Sequence, residues 1–94
     1  MAEKKISFYM TCGISAAMDE SGSFSLEIAD CIHRFTVDDW GDMCEDDKEL
    51  NRQAKTCGGR ILAAYPSTRG RVYIITEDAT ATEQITTVLF ADVY

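Results

Sequence analysis

The chain has 94 residues, a 46% hydrophobic fraction and a formal net charge of −7, from 16 acidic and 9 basic side chains. That length allows one core and no second domain, and the apolar content excludes a chain disordered throughout. No apolar run reaches the roughly 20 residues of a bilayer span, and the opening Met-Ala-Glu-Lys-Lys-Ile-Ser-Phe lacks the apolar stretch of a signal peptide, so a cytoplasmic location is expected.

From the N-terminus, Lys5 to Met10 alternates as a strand does, with Ile6, Phe8 and Met10 on one face. Thr11 is placed to cap a short helix beginning near Gly13 and covering Ser15 to Met18. Asp19 to Ser23 reads as a loop. Phe24, Ile28, Cys31, Ile32 and Phe35 then recur at helical spacing, which predicts a helix over 24–35 with Ser23 as its N-cap. Phe24, Leu26 and Ile28 also alternate, but the longer pattern favours helix.

The stretch from Phe35 to Asp47 stands apart. It holds the only tryptophan and the densest run of acids: Asp38, Asp39, Asp42, Glu45, Asp46 and Asp47. Trp40, beside Gly41, is expected to anchor a turn against the core through its large apolar surface. Arg34 is expected to bridge that turn through a bidentate carboxylate pair. The six carboxylates must face water or a partner, because unpaired burial of a carboxylate is costly.

Asp42 and Glu45 have the spacing of a capping box, with Asp in the place usually taken by Ser or Thr. They predict a helix over 43–56 that turns Met43, Leu50, Ala54 and Cys57 inward. Its early acids suit the positive end of the helix dipole, its later Lys48, Arg52 and Lys55 the negative end, and Gly58-Gly59 stops it. Ile61–Tyr65, Val72–Thr76 and Thr86–Phe90 are the strongest strands, and Pro66 to Gly70 joins the first two as an antiparallel hairpin. Glu77 to Gln84 reads as a polar loop with a helical turn. The sum is a single α+β domain over 1–94: a C-terminal antiparallel sheet of three or four strands, packed by two main helices and half solvated on its other face.

The charge disfavours direct contact with nucleic acid or an anionic membrane and favours a protein partner with a basic surface. Solubility and helix capping are the plainer account of the same acids. Cys12, Cys31, Cys44 and Cys57 contain no CxxC and are expected as free thiols; with His33 they match no compact zinc spacing. His33 and Cys31 lie two apart on a helix and face different ways. Asp39, Asp42, Asp46 and Asp47 lack the glycine and terminal glutamate of a calcium loop. Phosphate-loop, dinucleotide and serine-nucleophile patterns are absent, and Arg34, Arg52, Arg60, Arg69 and Arg71 are scattered. No catalytic residue, cofactor or metal is therefore assigned, with a small metal-dependent enzyme kept as the third reading. Self-association stays open.

Asp39-Trp-Gly-Asp42, Asp47, Asn51, Arg60 to Tyr65, Ile74 to Glu77 and Thr86 to Phe90, ending in Tyr94, carry a resemblance. Together they resemble a family of small plasmid- and phage-associated proteins with a Gly-Asp-Trp-Gly core and an Ile-Thr-Glu…Thr-Thr-Val-Leu tail, over about Thr11 to Tyr94. Arg34 matches the family's arginine, Phe35 stands in place of its histidine and Asp38 in place of its first glycine. His33 precedes that histidine position by two residues and does not inherit its role. The connection from Asp78 to Ile85 is also longer here. The resemblance implies a mobile-element setting and an accessory or counter-defence protein. By analogy with other small acidic phage proteins, it suggests an anti-CRISPR inhibitor whose partner is a host defence complex.

Overall fold

In the computed structural model, which describes residues 5–94, the alternating segments become four strands of one sheet. They are β1 (Lys5–Met10), β2 (Ile61–Tyr65), β3 (Val72–Thr76) and β4 (Glu83–Phe90). Three helices separate the first two strands, namely α1 (Cys12–Glu20), α2 (Gly22–Thr36) and α3 (Glu45–Cys57), and a 3₁₀ turn at Ala91–Val93 follows β4. Among the described residues no helix is long and apolar enough to cross a membrane.

The sheet order is β1-β4-β3-β2. β2 with β3 and β3 with β4 are antiparallel, which is the expected C-terminal sheet. β1 adds a fourth strand parallel to β4, with Phe8 opposite Thr86 and Met10 opposite Val88. Parallel neighbours need a long connection, and the helical layer supplies it.

The apolar stripes of α1 and α2 cover the helix side of the sheet. Ile14, Ala17, Phe24, Ile28 and Cys31 pack on Ala63, Tyr65, Val72, Ile74 and Val88 in one cluster. The rings of Phe24 and Phe90 stack at 5.8 Å within it. On the far face Ala64, Ile75 and Leu89 are buried, whereas Tyr9 and Ile85 remain 56% and 55% exposed. That face is half solvated, as the alternation predicts.

Several expected details differ. Asp19 and Glu20 close α1 while Gly22 and Ser23 open α2, so of the loop expected over 19–23 only Ser21 stays outside a helix. α2 starts two residues earlier, at Gly22, and its N-cap is Ser21, whose hydroxyl accepts the Phe24 N–H at 3.2 Å, in place of Ser23. α3 starts at Glu45 rather than Met43, with Cys44 as N-cap and no side-chain capping bond, so Asp42 and Glu45 form no capping box. The inward face of α3 is Asn51 and Ala54; Leu50 is 60% exposed and Cys57 is exposed as well. β4 begins at Glu83, inside the segment expected to be loop, because Glu83 and Gln84 pair with Lys5 and Ile6 of β1. The remaining connection is shaped by Asp78, whose Oδ1 accepts from the N–H and hydroxyl of Thr80 at 3.0 and 2.9 Å. Those bonds hold its carboxyl below the usual range.

Candidate functional site

The acidic stretch is built on the open edge of β2. Past the end of α2, Asp39 N–H returns to the carbonyl of Arg34 at 2.9 Å, with Asp38 between them at φ 62°. Aspartate is one of the few L residues that enters this left-handed region readily. The return brings Asp39 back to Arg34, where Nε lies 2.8 Å from Oδ2 and Nη2 lies 3.3 Å from Oδ1. The expected bidentate pair is therefore present. Oδ1 also accepts the Gly41 N–H at 3.2 Å. The Arg34 bond, followed by the Gly41 bond, pulls the Asp39 carboxyl below its ordinary value, and the same contact raises Arg34.

Tyr65, at the end of β2, locks this turn from below. Its hydroxyl donates to the Asp39 carbonyl at 2.6 Å, and the Arg34 guanidinium lies 5.0 Å from the centre of its ring. The ring is fully buried, and burial pushes the phenol far above its usual range.

The next residues form a short parallel bridge to β2. Ala64 N–H donates to the Trp40 carbonyl at 3.1 Å, and Asp42 N–H donates to the Ala64 carbonyl at 2.7 Å. Gly41 sits between them at φ 71°, where an added Cβ would stand 2.1 Å from the Ala64 carbonyl oxygen and 2.7 Å from the Tyr65 ring. Only glycine fits such an approach. One pair along the strand, Asn51 completes the edge. Its Nδ2 donates to the Leu62 carbonyl at 2.9 Å, and its Oδ1 accepts the Leu62 N–H at 3.2 Å. A sheet edge that would otherwise invite pairing with another chain is thereby satisfied. Trp40 is 5% exposed and belongs to the core cluster, as expected of the anchor.

The six acids of the stretch divide into two sets. Asp39 is held by Arg34, Asp38 by Lys55 at 2.7 Å, and Glu45 by Lys48 and Arg52, both at 3.8 Å. All of these except Arg34, with Trp40, line a polar groove between the turn and α3, in which three carboxylates meet three cations, Lys48, Arg52 and Lys55. Asp42, Asp46 and Asp47 are exposed and have no ion-pair partner among the described residues. Asp47 accepts only the Cys44 thiol, at 3.1 Å, and Asp42 is steadied through its backbone carbonyl by Arg71 Nη2 at 3.0 Å. The continuous acidic face suggested by sequence is thus neutralised over one part and free over the other.

The remaining candidates stay apart. His33 is exposed, and the four cysteines are free, with only Cys31 buried and its thiol pushed up chiefly by that burial. Among the described residues no group of three His, Cys, Asp or Glu side chains is placed to hold a metal ion. Sequence reasoning missed Tyr65 and Asn51 as parts of the site. The available signal for Asn51 was its spacing of three from Ala54, which puts an amide on the inward face of α3. Comparison with family models, with curated proteins and with solved structures gave no match.

Proposed function

We propose that the chain is a non-catalytic interaction protein that meets a basic protein surface through Asp42, Asp46 and Asp47. The observation that carries this reading is the division of the acids. Asp38, Asp39 and Glu45 are engaged by the chain's own cations, while Asp42, Asp46 and Asp47 have no ion-pair partner among the described residues and lie beside an anchored turn. Fixed carboxylates on a scaffold of net charge −7 favour fast encounter with a positive partner and selection against anionic ones. A protein groove that normally holds nucleic acid displays the matching cations. The resemblance to mobile-element proteins directs the search to nucleic-acid-guided defence complexes, where such a chain would act as an anti-CRISPR inhibitor.

The test is affinity capture from the native host, followed by binding to purified candidates. Asp42→Lys, Asp46→Lys and Asp47→Lys together should weaken capture strongly while leaving the fold intact. Binding should also fall as salt rises and compete with DNA or RNA. Unchanged affinity in the folded triple variant would overturn the reading. Asp39 is left alone because its carboxylate forms the turn.

A second reading has its own support. Asp46 and Asp47 lie in the first turn of α3, where acids stabilise the helix terminus. On that reading the chain is an accessory domain of a mobile element whose acids serve folding and solubility. It predicts that the triple variant loses helix stability and solubility but no partner.

A further inference from the structure

The two edges of the sheet are finished differently. At β2, Asn51 and the bridge from Trp40 to Asp42 take up outward backbone groups. At the opposite end stands β1, whose strand neighbour among the described residues is β4 alone. Two bonds fix the direction of its backbone groups: Lys5 N–H donates to the Thr82 carbonyl at 2.7 Å, and Thr11 N–H to the Val88 carbonyl at 3.1 Å. Because those groups alternate along a strand, Lys5, Ser7, Tyr9 and Thr11 turn theirs to β4, and Ile6, Phe8 and Met10 turn theirs outward. Among the described residues nothing beyond the sheet bonds to these three. We propose that this edge is a dimerisation strand, on which β1 of a second copy of this chain pairs antiparallel about a two-fold axis at Phe8.

Backbone geometry makes the occupant a strand, and the side chains make it a second copy. Natural sheets guard an open edge with proline, a bulge, several charges or a covering segment. β1 has no proline, pairs one-to-one with β4, and carries a single charge, Lys5, at its first position. Ile6 and Tyr9 are exposed along it, as is Ile85 beside them on β4. With the axis at Phe8, Ile6 faces Met10 of the second copy and Phe8 faces its own image, each pair exchanging two backbone bonds. Ser7 then lies opposite Tyr9 and Lys5 opposite Thr11, so no like charges meet. A two-fold contact needs a surface that complements itself, and like charges set directly opposite would oppose it. The chain carries a net charge of −7, yet residues 5–18 contain no acid, so copies joined here do not bring acids of β1 together. The product is one continuous sheet with a β2 strand at each end, which leaves the turns bearing Asp42 at the two outer edges. This pairing does not depend on what those acids bind.

A contact of one six-residue strand belongs to the small interface class, under about 1,200 Å², so the pair is weak. Sedimentation of the natural protein should show the mass rising from one chain toward two between roughly 10 µM and 1 mM. Over the same range, amide hydrogen exchange should slow at Ile6, Phe8 and Met10 and stay unchanged at Ser7 and Tyr9, which already face β4. Ser7→Glu with Tyr9→Glu sets carboxylates opposite each other across the axis and should weaken the dimer about tenfold. Ser7→Lys with Tyr9→Glu sets opposite charges there and should restore it. A single chain at 1 mM overturns the proposal. So does a dimer in which the Ile6, Phe8 and Met10 amides exchange as fast as in the monomer, because another surface then makes the contact. Protection of those amides by an added partner peptide, with none on self-association, would likewise reject the second copy as occupant. Should the charged variants not fold, the exchange pattern of the natural protein decides alone.

Discussion

Asp38 to Gly41 and Asp42 to Asp47 are neighbours with similar composition and opposite physical roles. In the first segment both carboxylates are engaged inside the molecule. Asp39 holds Arg34 and the Gly41 N–H, Asp38 holds Lys55, and the Trp40 carbonyl closes the edge of β2. In the second segment the backbone is fixed at Asp42 and again at α3, yet the carboxylates of Asp42 and Asp46 reach no cation among the described residues. Charge density along the sequence is the same signal in both places. The difference comes from what the backbone must do: the segment that runs beside β2 has to turn back on α2, and its acids are used in that turn.

The comparison breaks most completely at Gly41. Gly41→Ala places a methyl on the Ala64 carbonyl and forces an L residue into φ 71°. Because backbone cannot yield as a flexible side chain can, we expect a loss of roughly 4–5 kcal/mol or outright failure to fold. Denaturant unfolding checks it, and a variant within about 1 kcal/mol of the natural protein would mean the bridge to β2 is dispensable. Trp40→Ala comes next. Truncating a buried tryptophan costs about 3–5 kcal/mol, and the same unfolding series should place it below Gly41→Ala but above every substitution beyond position 41.

Much of the fold was legible because periodicity and burial agree in it. β2 and β3 span the segments in which small turn residues flank continuous apolar runs, and β1 follows the alternation of Lys5 to Met10. What failed were features set by distant backbone. The start of α3 reads as Met43 in isolation, but Gly41 is bridged beside Ala64 and Cys44 is still extended at ψ 163°, so the helix begins only at Glu45. Leu50 looks like the inward residue of α3 by hydrophobicity, and Asn51 takes that position because the neighbouring strand edge needs a donor and an acceptor. Likewise the Arg34–Asp39 pair could be read from local spacing, whereas Tyr65, 26 residues from Asp39, could not. Tertiary hydrogen bonds leave little trace in a local pattern.

Asn51 offers the third way to sharpen the contrast. Asn51→Leu removes both bonds to Leu62 and strands a peptide group at a partly buried edge, at a cost of about 1–3 kcal/mol. Hydrogen exchange should show Leu62 N–H losing protection while Ala64 N–H, held by Trp40, keeps it. Loss of both together would show that the two closures act as one unit.

A smaller effect comes from the Arg34–Asp39 pair, whose carboxylate side chain is 49% exposed. Exposed pairs are worth about 0.2–1 kcal/mol, and the bidentate geometry favours the upper part of that range. The folded Asp39 lies below its ordinary 3.8, so its contribution is fully present above that value. It disappears as pH falls through the lower folded value. A double-mutant cycle with Arg34→Met and Asp39→Asn should give a coupling energy that is flat near neutrality and vanishes in strong acid. Coupling that grew on acidification would contradict the assignment.

The smallest effects on stability should fall in the free half. Singly, Asp42→Asn, Asp46→Asn and Asp47→Asn should stay within about 0.5 kcal/mol of the natural protein, since no ion pair among the described residues is lost. Asp46 and Asp47 should lean toward destabilisation because each sits in the first turn of α3, near the positive end of its dipole. Asp42 precedes the helix and should be the most neutral. The same three substitutions should slow association with a basic partner, and the slowing should shrink as salt screens the field. Stability and association rate therefore separate the two halves by opposite rankings: Gly41 and Trp40 dominate the first measurement, and Asp42, Asp46 and Asp47 dominate the second. A stability loss at Asp42 as large as that at Asn51 would place its carboxylate among the fold-forming acids and remove it from the proposed contact surface.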